Sequence, residues 1–152
     1  MKTNGIAHVG ICVKNLEKSV DFYTKVMGFK VIDPPPAEFL DDPDEAKGLG
    51  FEKCANRVCS LEIAKNQILE LMEFSFPDSP ADIPMPLNTL GKHHIAYYVD
   101  SMQEWLSKFR ELGLEVVYKE QPFETGGETA YWALVKDPDG IVIEFIQTSI
   151  SE

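Results

Sequence analysis

A chain of 152 residues with 25 acidic and 14 basic side chains, net charge −11, argues against nucleic acid or an anionic membrane as a partner, since both are held by basic patches. With 44% hydrophobic and 26% charged residues it falls in the range of soluble globular proteins, and its length allows one domain or two small modules sharing a core. Only Arg57 and Arg110 are arginines, so a ligand with several phosphates or carboxylates would find few bidentate clamps.

The opening residues MKTNGIAHVG lack the apolar core of about 7–15 residues that marks a signal peptide. No apolar run approaches the ~20 residues of a membrane-spanning helix. Cys12, Cys54 and Cys59 make neither a disulfide framework nor a zinc-ribbon spacing. The expected setting is a reducing one, the cytoplasm.

Residues 7–13 alternate Val9, Ile11 and Val13 with His8, Gly10 and Cys12, the period-2 pattern of a strand with two distinct faces. Asn15 is placed to cap a helix whose apolar stripe is Leu16, Val20, Tyr23 and Met27, and Gly28 suits its left-handed close. Strands follow at about 29–33, 57–64 and 67–74. Between them lies a Pro- and Asp-rich excursion, DPPPAEFLDDPDEAKGLG (33–50), read as non-helical. A linker with four prolines, 75–91, excludes regular structure. Loops this long often close over a ligand.

The pattern then repeats. KHHIAYYVD (92–100) reads as a strand, Ser101-Met102-Gln103-Glu104 fits a capping box, and Met102, Trp105, Leu106 and Phe109 form the stripe of a helix closed by Gly113. Strands are expected at about 114–119, 129–136 and 141–148, the last two joined by the tight turn DPDG (137–140). Residues 7–31 lie over 93–117, with His8 on His94, Val13 on Val99 and Leu16 on Met102 at an offset of 86. The chain thus reads as a single domain, 1–152, of two strand–helix–three-strand modules, 5–74 and 92–148, joined by the linker 75–91.

Four residues sit oddly in these apolar strands. Glu70 lies within QILELMEF and Glu144 within GIVIEFIQ, where a buried carboxylate is costly unless something positive holds it. Strand parity places His8, Gly10 and Cys12 on the face opposite the helix, and by the repeat His94, Ala96 and Tyr98 as well. His93 falls on the other face and is expected to be structural. Each module therefore offers one His and one Glu on the same face. Two such pairs suit a divalent ion such as Zn, Ni, Co, Mn or Fe.

With these residues in place, the chain resembles the vicinal oxygen chelate superfamily, which includes glyoxalase I, methylmalonyl-CoA epimerase, extradiol dioxygenases and the fosfomycin and bleomycin resistance proteins. HVGICVKNLEKSVDFYTKVMGFKV resembles the opening strand and helix, HHIAYYVD the start of the second module, and GGETAYWALVKDPDGIVIEF the closing hairpin. The resemblance implies an α+β fold of two paired βαβββ modules, forming a curved, mostly antiparallel eight-stranded sheet around a central cavity. It carries the metal ligands onto His8, Glu70, His94 and Glu144.

The resemblance also implies a small-molecule substrate, a homodimer, and isomerase, epimerase or lyase chemistry on a small carbonyl or thioester compound. A cation would stabilise an enediolate or enolate while Glu144 or Glu70 moves the α-proton. An Arg that helps hold glutathione in bacterial-type glyoxalase I is replaced here by Cys12, which points away from a glutathione hemithioacetal. Two alternatives remain open. One is an extradiol-type dioxygenase, for which Glu70 would be redundant. The other is a non-catalytic small-molecule binding or resistance protein, with Tyr98, Tyr131 and Trp132 as stacking surface.

Overall fold

In the computed structural model, which describes residues 2–78 and 86–148, the chain divides into two compact units, Met1–Asp82 and Ile83–Glu152. Unit one runs β1 (His8–Cys12), α1 (Leu16–Lys25), β2 (Lys30–Asp33), β3 (Leu40–Asp41), α2 (Pro43–Gly48), β4 (Ala55–Ala64) and β5 (Gln67–Phe76). Unit two runs β6 (Ile95–Tyr98), α3 (Met102–Glu111), β7 (Val117–Thr125), β8 (Glu128–Lys136) and β9 (Val142–Thr148). All eight expected strands are present, and the fold is α+β.

The strands form a five-stranded sheet ordered β1-β5-β4-β2, with β3 also on β4, and a four-stranded sheet ordered β6-β9-β8-β7. In each unit the first strand lies parallel to the last, β1 on β5 and β6 on β9, while the remaining pairs are antiparallel. The helix between first and second strand covers one face of its sheet and leaves the other bare. Alternation decides which side chains go where. Ile11 and Val13 are buried while His8, Gly10 and Cys12 are exposed.

The helices start and stop as their sequences dictate. Asn15 Oδ1 accepts the Lys18 N–H at 2.9 Å, and Ser101 Oγ accepts the Glu104 N–H at 3.3 Å. Gly28 and Gly113 close α1 and α3 with φ of +76° and +67°. Leu16 and Tyr23 of α1, and Met102 and Phe109 of α3, are buried against the sheets. In unit two Phe109 meets Phe145 edge-on with centroids 4.8 Å apart, and Trp105 leans on Phe145 at the same distance. Burying one such side chain contributes roughly 1.5–3 kcal/mol.

Two segments differ from the sequence reading. The excursion 33–50 is not free of helix. Asp42 caps α2, its Oδ1 accepting the Asp44 and Glu45 N–H groups, and Pro43 occupies the first turn. Asp-Pro-Asp-Glu is a helix-start signal that the surrounding prolines and acids obscured. Glu45 Oε1 then accepts from Asn56 Nδ2 at 2.9 Å, tying the insert to β4, where Asn56 is buried. The strand expected at 114–119 begins later and runs to Thr125. Its register shifts between Lys119 and Phe123, and the edge position of β7 tolerates Pro122.

Along the outer side of β4, β2 pairs at Ser60–Glu62 and β3 at Ala55 and Asn56. Part of the linker, residues 79–85, lies outside the described residues. No helix among the described residues is long and apolar enough to cross a membrane.

The three cysteines divide by environment. Cys12 is exposed, whereas Cys54 and Cys59 are buried. Burial, assisted by the negative charge of Asp33, pushes the Cys59 thiol up to about 11, and burial also raises that of Cys54. Titration with an aromatic disulfide at mildly alkaline pH should therefore label Cys12 quickly, and the other two only after denaturation. Three equally fast thiols in the native protein would contradict this packing.

Candidate metal centre

The pairing register assembles one His–Glu pair in each unit. In unit one Gly10 stands opposite Glu70, and His8 lies two residues earlier on the same face of β1. His8 Nε2 reaches to 3.3 Å from Glu70 Oε2. In unit two Ala96 stands opposite Glu144, and His94 immediately precedes β6. His94 Nε2 lies 2.9 Å from Glu144 Oε2. The two pairs occupy equivalent positions in equivalent registers.

A small residue separates His from Glu in each case, which keeps the line between them open. At Gly10 a Cβ would come within 3.1 Å of the Met72 methyl, so a larger side chain there would press on the thioether beside the pair.

Neither glutamate is buried among its apolar neighbours. Ile143 and Phe145 point into the core, and Glu144 projects to the bare face with its side chain 19% exposed; Glu70 is 28% exposed between the buried Leu69 and Leu71. Water and a histidine thus supply what the strand's apolar sequence does not. His93 is exposed, its Nδ1 3.3 Å from the Gly91 carbonyl oxygen, and takes no part in the pair. Of the three aromatics suggested as stacking surface, Tyr98 is exposed, and Trp132 shares the Glu144 face through its register with Ile146. Tyr131 pairs with Gln147 and so belongs to the helix-covered face.

A second duplicated device escaped the sequence reading. Three residues beyond each candidate glutamate, a side chain from the last strand accepts the first N–H of the helix. Glu73 Oε2 takes that of Leu16 at 3.2 Å, and Gln147 Oε1 takes that of Met102 at 2.6 Å. The signal was the common offset of 74 that relates Glu70 to Glu144 and Glu73 to Gln147.

Glu73 also pairs with Arg57, which reaches Glu17 at 2.9 Å and lies 4.7 Å from the Phe39 ring centroid. The hydrogen bond to Glu73 strengthens Arg57's hold on its proton. A backbone hydrogen bond, with help from Arg57, holds the Glu17 carboxyl below its ordinary range. Arg57 is thereby committed to the helix-covered face, and Arg110 lies on α3. Neither bare face carries a guanidinium.

The pairs fit a divalent cation in chemistry and in spacing. Imidazole nitrogen and carboxylate oxygen are ordinary donors to Zn, Ni, Co, Mn or Fe. Two neighbouring ligands with bonds of about 2.0–2.2 Å stand roughly 3 Å apart, as the paired atoms do here. Each unit supplies two donors, and among the described residues no group of three or more His, Cys, Asp or Glu side chains converges.

Comparison with known proteins follows the same lines. The profile of the Glyoxalase/Bleomycin resistance protein/Dioxygenase superfamily matches residues 5–145. The chain is 33% identical over 144 residues to the lactoylglutathione lyase of Neisseria meningitidis, covering 93% of this chain and 89% of that one. It is 31% identical to a probable lactoylglutathione lyase of Synechocystis sp., covering 95% of each. Among solved structures, a glyoxalase family protein from Bacillus cereus superposes with a TM-score of 0.79 at 19% identity, covering 97% of this chain and 96% of that one.

The Arg57 cluster yields a test of its own. Because the folded-state pKa of Glu17 is depressed, its stabilising contribution is present above the unfolded value of about 4.5 and is lost as pH falls through the folded pKa. Arg57→Met should lower the melting temperature at neutral pH and flatten its further decline on acidification below about pH 4.5. Thermal melts of both proteins across that range check this, and an unchanged acid slope would contradict it.

Proposed function

Since the chain belongs to the Glyoxalase/Bleomycin resistance protein/Dioxygenase superfamily, we propose that it is a metal-dependent lyase or isomerase of the glyoxalase type, with His8, Glu70, His94 and Glu144 as the ligands of one divalent ion. The observation that carries this reading is the pair of His–Glu contacts, made twice in the same register. A lone His beside a Glu is common on protein surfaces. The same pair held at both equivalent positions, while much around it has diverged, is what a shared ligand set requires.

The bound ion supplies Lewis acidity toward neighbouring oxygens of a substrate. The chain's own residues do the rest. Glu144, the less exposed of the two glutamates, removes the proton next to the carbonyl and returns it to the adjacent carbon. Glu70 is its counterpart in unit one. His8 and His94 hold their glutamates in place and offer the imidazole nitrogens that would hold the ion. Trp132, Ile146 and Met72 give the bare faces apolar surface beside the pairs.

The relatives' name, lactoylglutathione lyase, supports a hemithioacetal of a small α-oxoaldehyde as the first substrate to try. The absence of a guanidinium from either bare face favours a thiol partner less anionic than glutathione.

Protein purified without added metal should carry about one divalent ion per chain by elemental analysis. The His94→Ala/Glu144→Ala double variant should lose it, and His93→Ala should keep it. Metal-free protein in which the double substitution is silent would sink the proposal.

Run in deuterated water, turnover of a hemithioacetal should place solvent deuterium in the product, and Glu144→Gln should reduce kcat by about 10²–10⁴-fold. Oxygen consumption with catechols and no such exchange would favour a dioxygenase instead.

A further inference from the structure

The two units differ most where their helix-covered faces should match. In unit one the Arg57 guanidinium lies between the carboxylates of Glu17 and Glu73 under the Phe39 ring, its side chain 12% exposed. The internal repeat relates Glu17 to Gln103, Arg57 to Tyr131 and Glu73 to Gln147. All three charges are gone. Phe39 belongs to the segment between β2 and β3, which has no counterpart between β7 and β8, where Gly126 and Gly127 form a tight hairpin turn.

What fills unit one is therefore open space in unit two. There a groove of about 590 Å³ is lined by Gln103, Leu106, Arg110, Tyr118, Tyr131 and Gln147, together with Met102. Arg110 stands where unit one has Thr24, whose hydroxyl turns back to its own helix.

The lining is unusual for this protein. The protein carries a net charge of −11, yet the described residues lining the groove include no carboxylate and one guanidinium. Arg110 makes no ion pair among the described side chains. Gln147 uses its Oε1 on the Met102 N–H, which leaves its Nε2 donors for another partner. Gln103, Tyr118 and Tyr131 add donors of their own, and Leu106 and the tyrosine rings provide apolar wall. Among the described lining residues a cation would meet no countercharge, and a polyanion would meet only one positive group. A planar monoanion matches the single guanidinium fork.

We propose that this groove, bounded by α3, β7, β8 and β9, binds a small organic monocarboxylate, with Arg110 gripping the carboxylate and Tyr118, Tyr131 and Leu106 enclosing an apolar body. The site lies on the face of unit two opposite the His94–Glu144 pair. It does not depend on the metal-centre reading, and its test needs no turnover.

The test is titration of the full chain with benzoate, followed by NMR on the Arg110 Nε–H and on the side-chain amides of Gln103 and Gln147. Benzoate should move these signals saturably, and benzamide should bind at least about tenfold more weakly, as loss of a charge-assisted bond requires. Arg110→Gln, a change at an exposed position, should cost benzoate a similar factor. The Gln103→Glu/Gln147→Glu double variant keeps an acceptor for the Met102 N–H, and should lose benzoate and take up benzamidine instead.

Equal affinity for benzoate and benzamide, an unchanged benzoate affinity in Arg110→Gln, or no saturable shift would each overturn the proposal.

Discussion

The parallel pairing of the first strand of each unit with its last is the constraint on which everything else hangs. Setting β1 on β5 with Gly10 opposite Glu70, and β6 on β9 with Ala96 opposite Glu144, fixes two things at once. One face receives the histidine that precedes the small residue. The other receives, three positions beyond the glutamate, the side chain that accepts the first N–H of the helix after the unit's first strand, α1 or α3. A slip of one residue would turn both sets over, exposing Leu69 and Leu71 or Ile143 and Phe145 and burying the carboxylates. Core burial thus enforces the spacing of the polar pair, and the helix start is tied to the same strand.

On this common frame the units have diverged in charge while keeping their backbone plan. Unit one spends its arginine internally, binding α1 to β4 and β5 through Glu17 and Glu73. Unit two meets the same need with neutral groups and an aromatic cluster of Trp105, Phe109 and Phe145. An exposed ion pair contributes little, whereas one screened by a ring and by the sheet resists separation because each lost partner strands a charge. The bare faces show the opposite history. Their His–Glu pairs are alike, and the residues around them are not.

Much of this was legible from residue order because strand parity is a two-valued property. Once Val9, Ile11 and Val13 are assigned to the core, His8 has one place to go, and the repeat carries the assignment to His94. The glutamates stood out because a carboxylate is chemically incongruous in an apolar strand. What could not be read depends on reach across the fold. Glu73 and Gln147 look like ordinary strand residues until a helix N-terminus is brought over them. Arg57 looks like a free cation until Glu17, 40 residues away in sequence, meets it. Tyr131 and Trp132 were grouped by chemistry, although adjacent strand residues face apart. The helix start at Asp42 is written in the chain, but the prolines at 34–36 and the acids around Pro43 mask it.

The insert between β2 and β4 has a consequence for how the protein behaves among copies of itself. A β-strand left unpaired along part of its length is a template for another chain. In unit two the nine residues of β7 cover the outer side of β8. In unit one β2 has only four residues and stops short of the start of β4. The two residues of β3 take over there, held by α2 and by the Glu45–Asn56 hydrogen bond. The excursion is thus a cover strip for a sheet edge, and shortening it would leave the beginning of β4 open to strand addition by a neighbouring molecule.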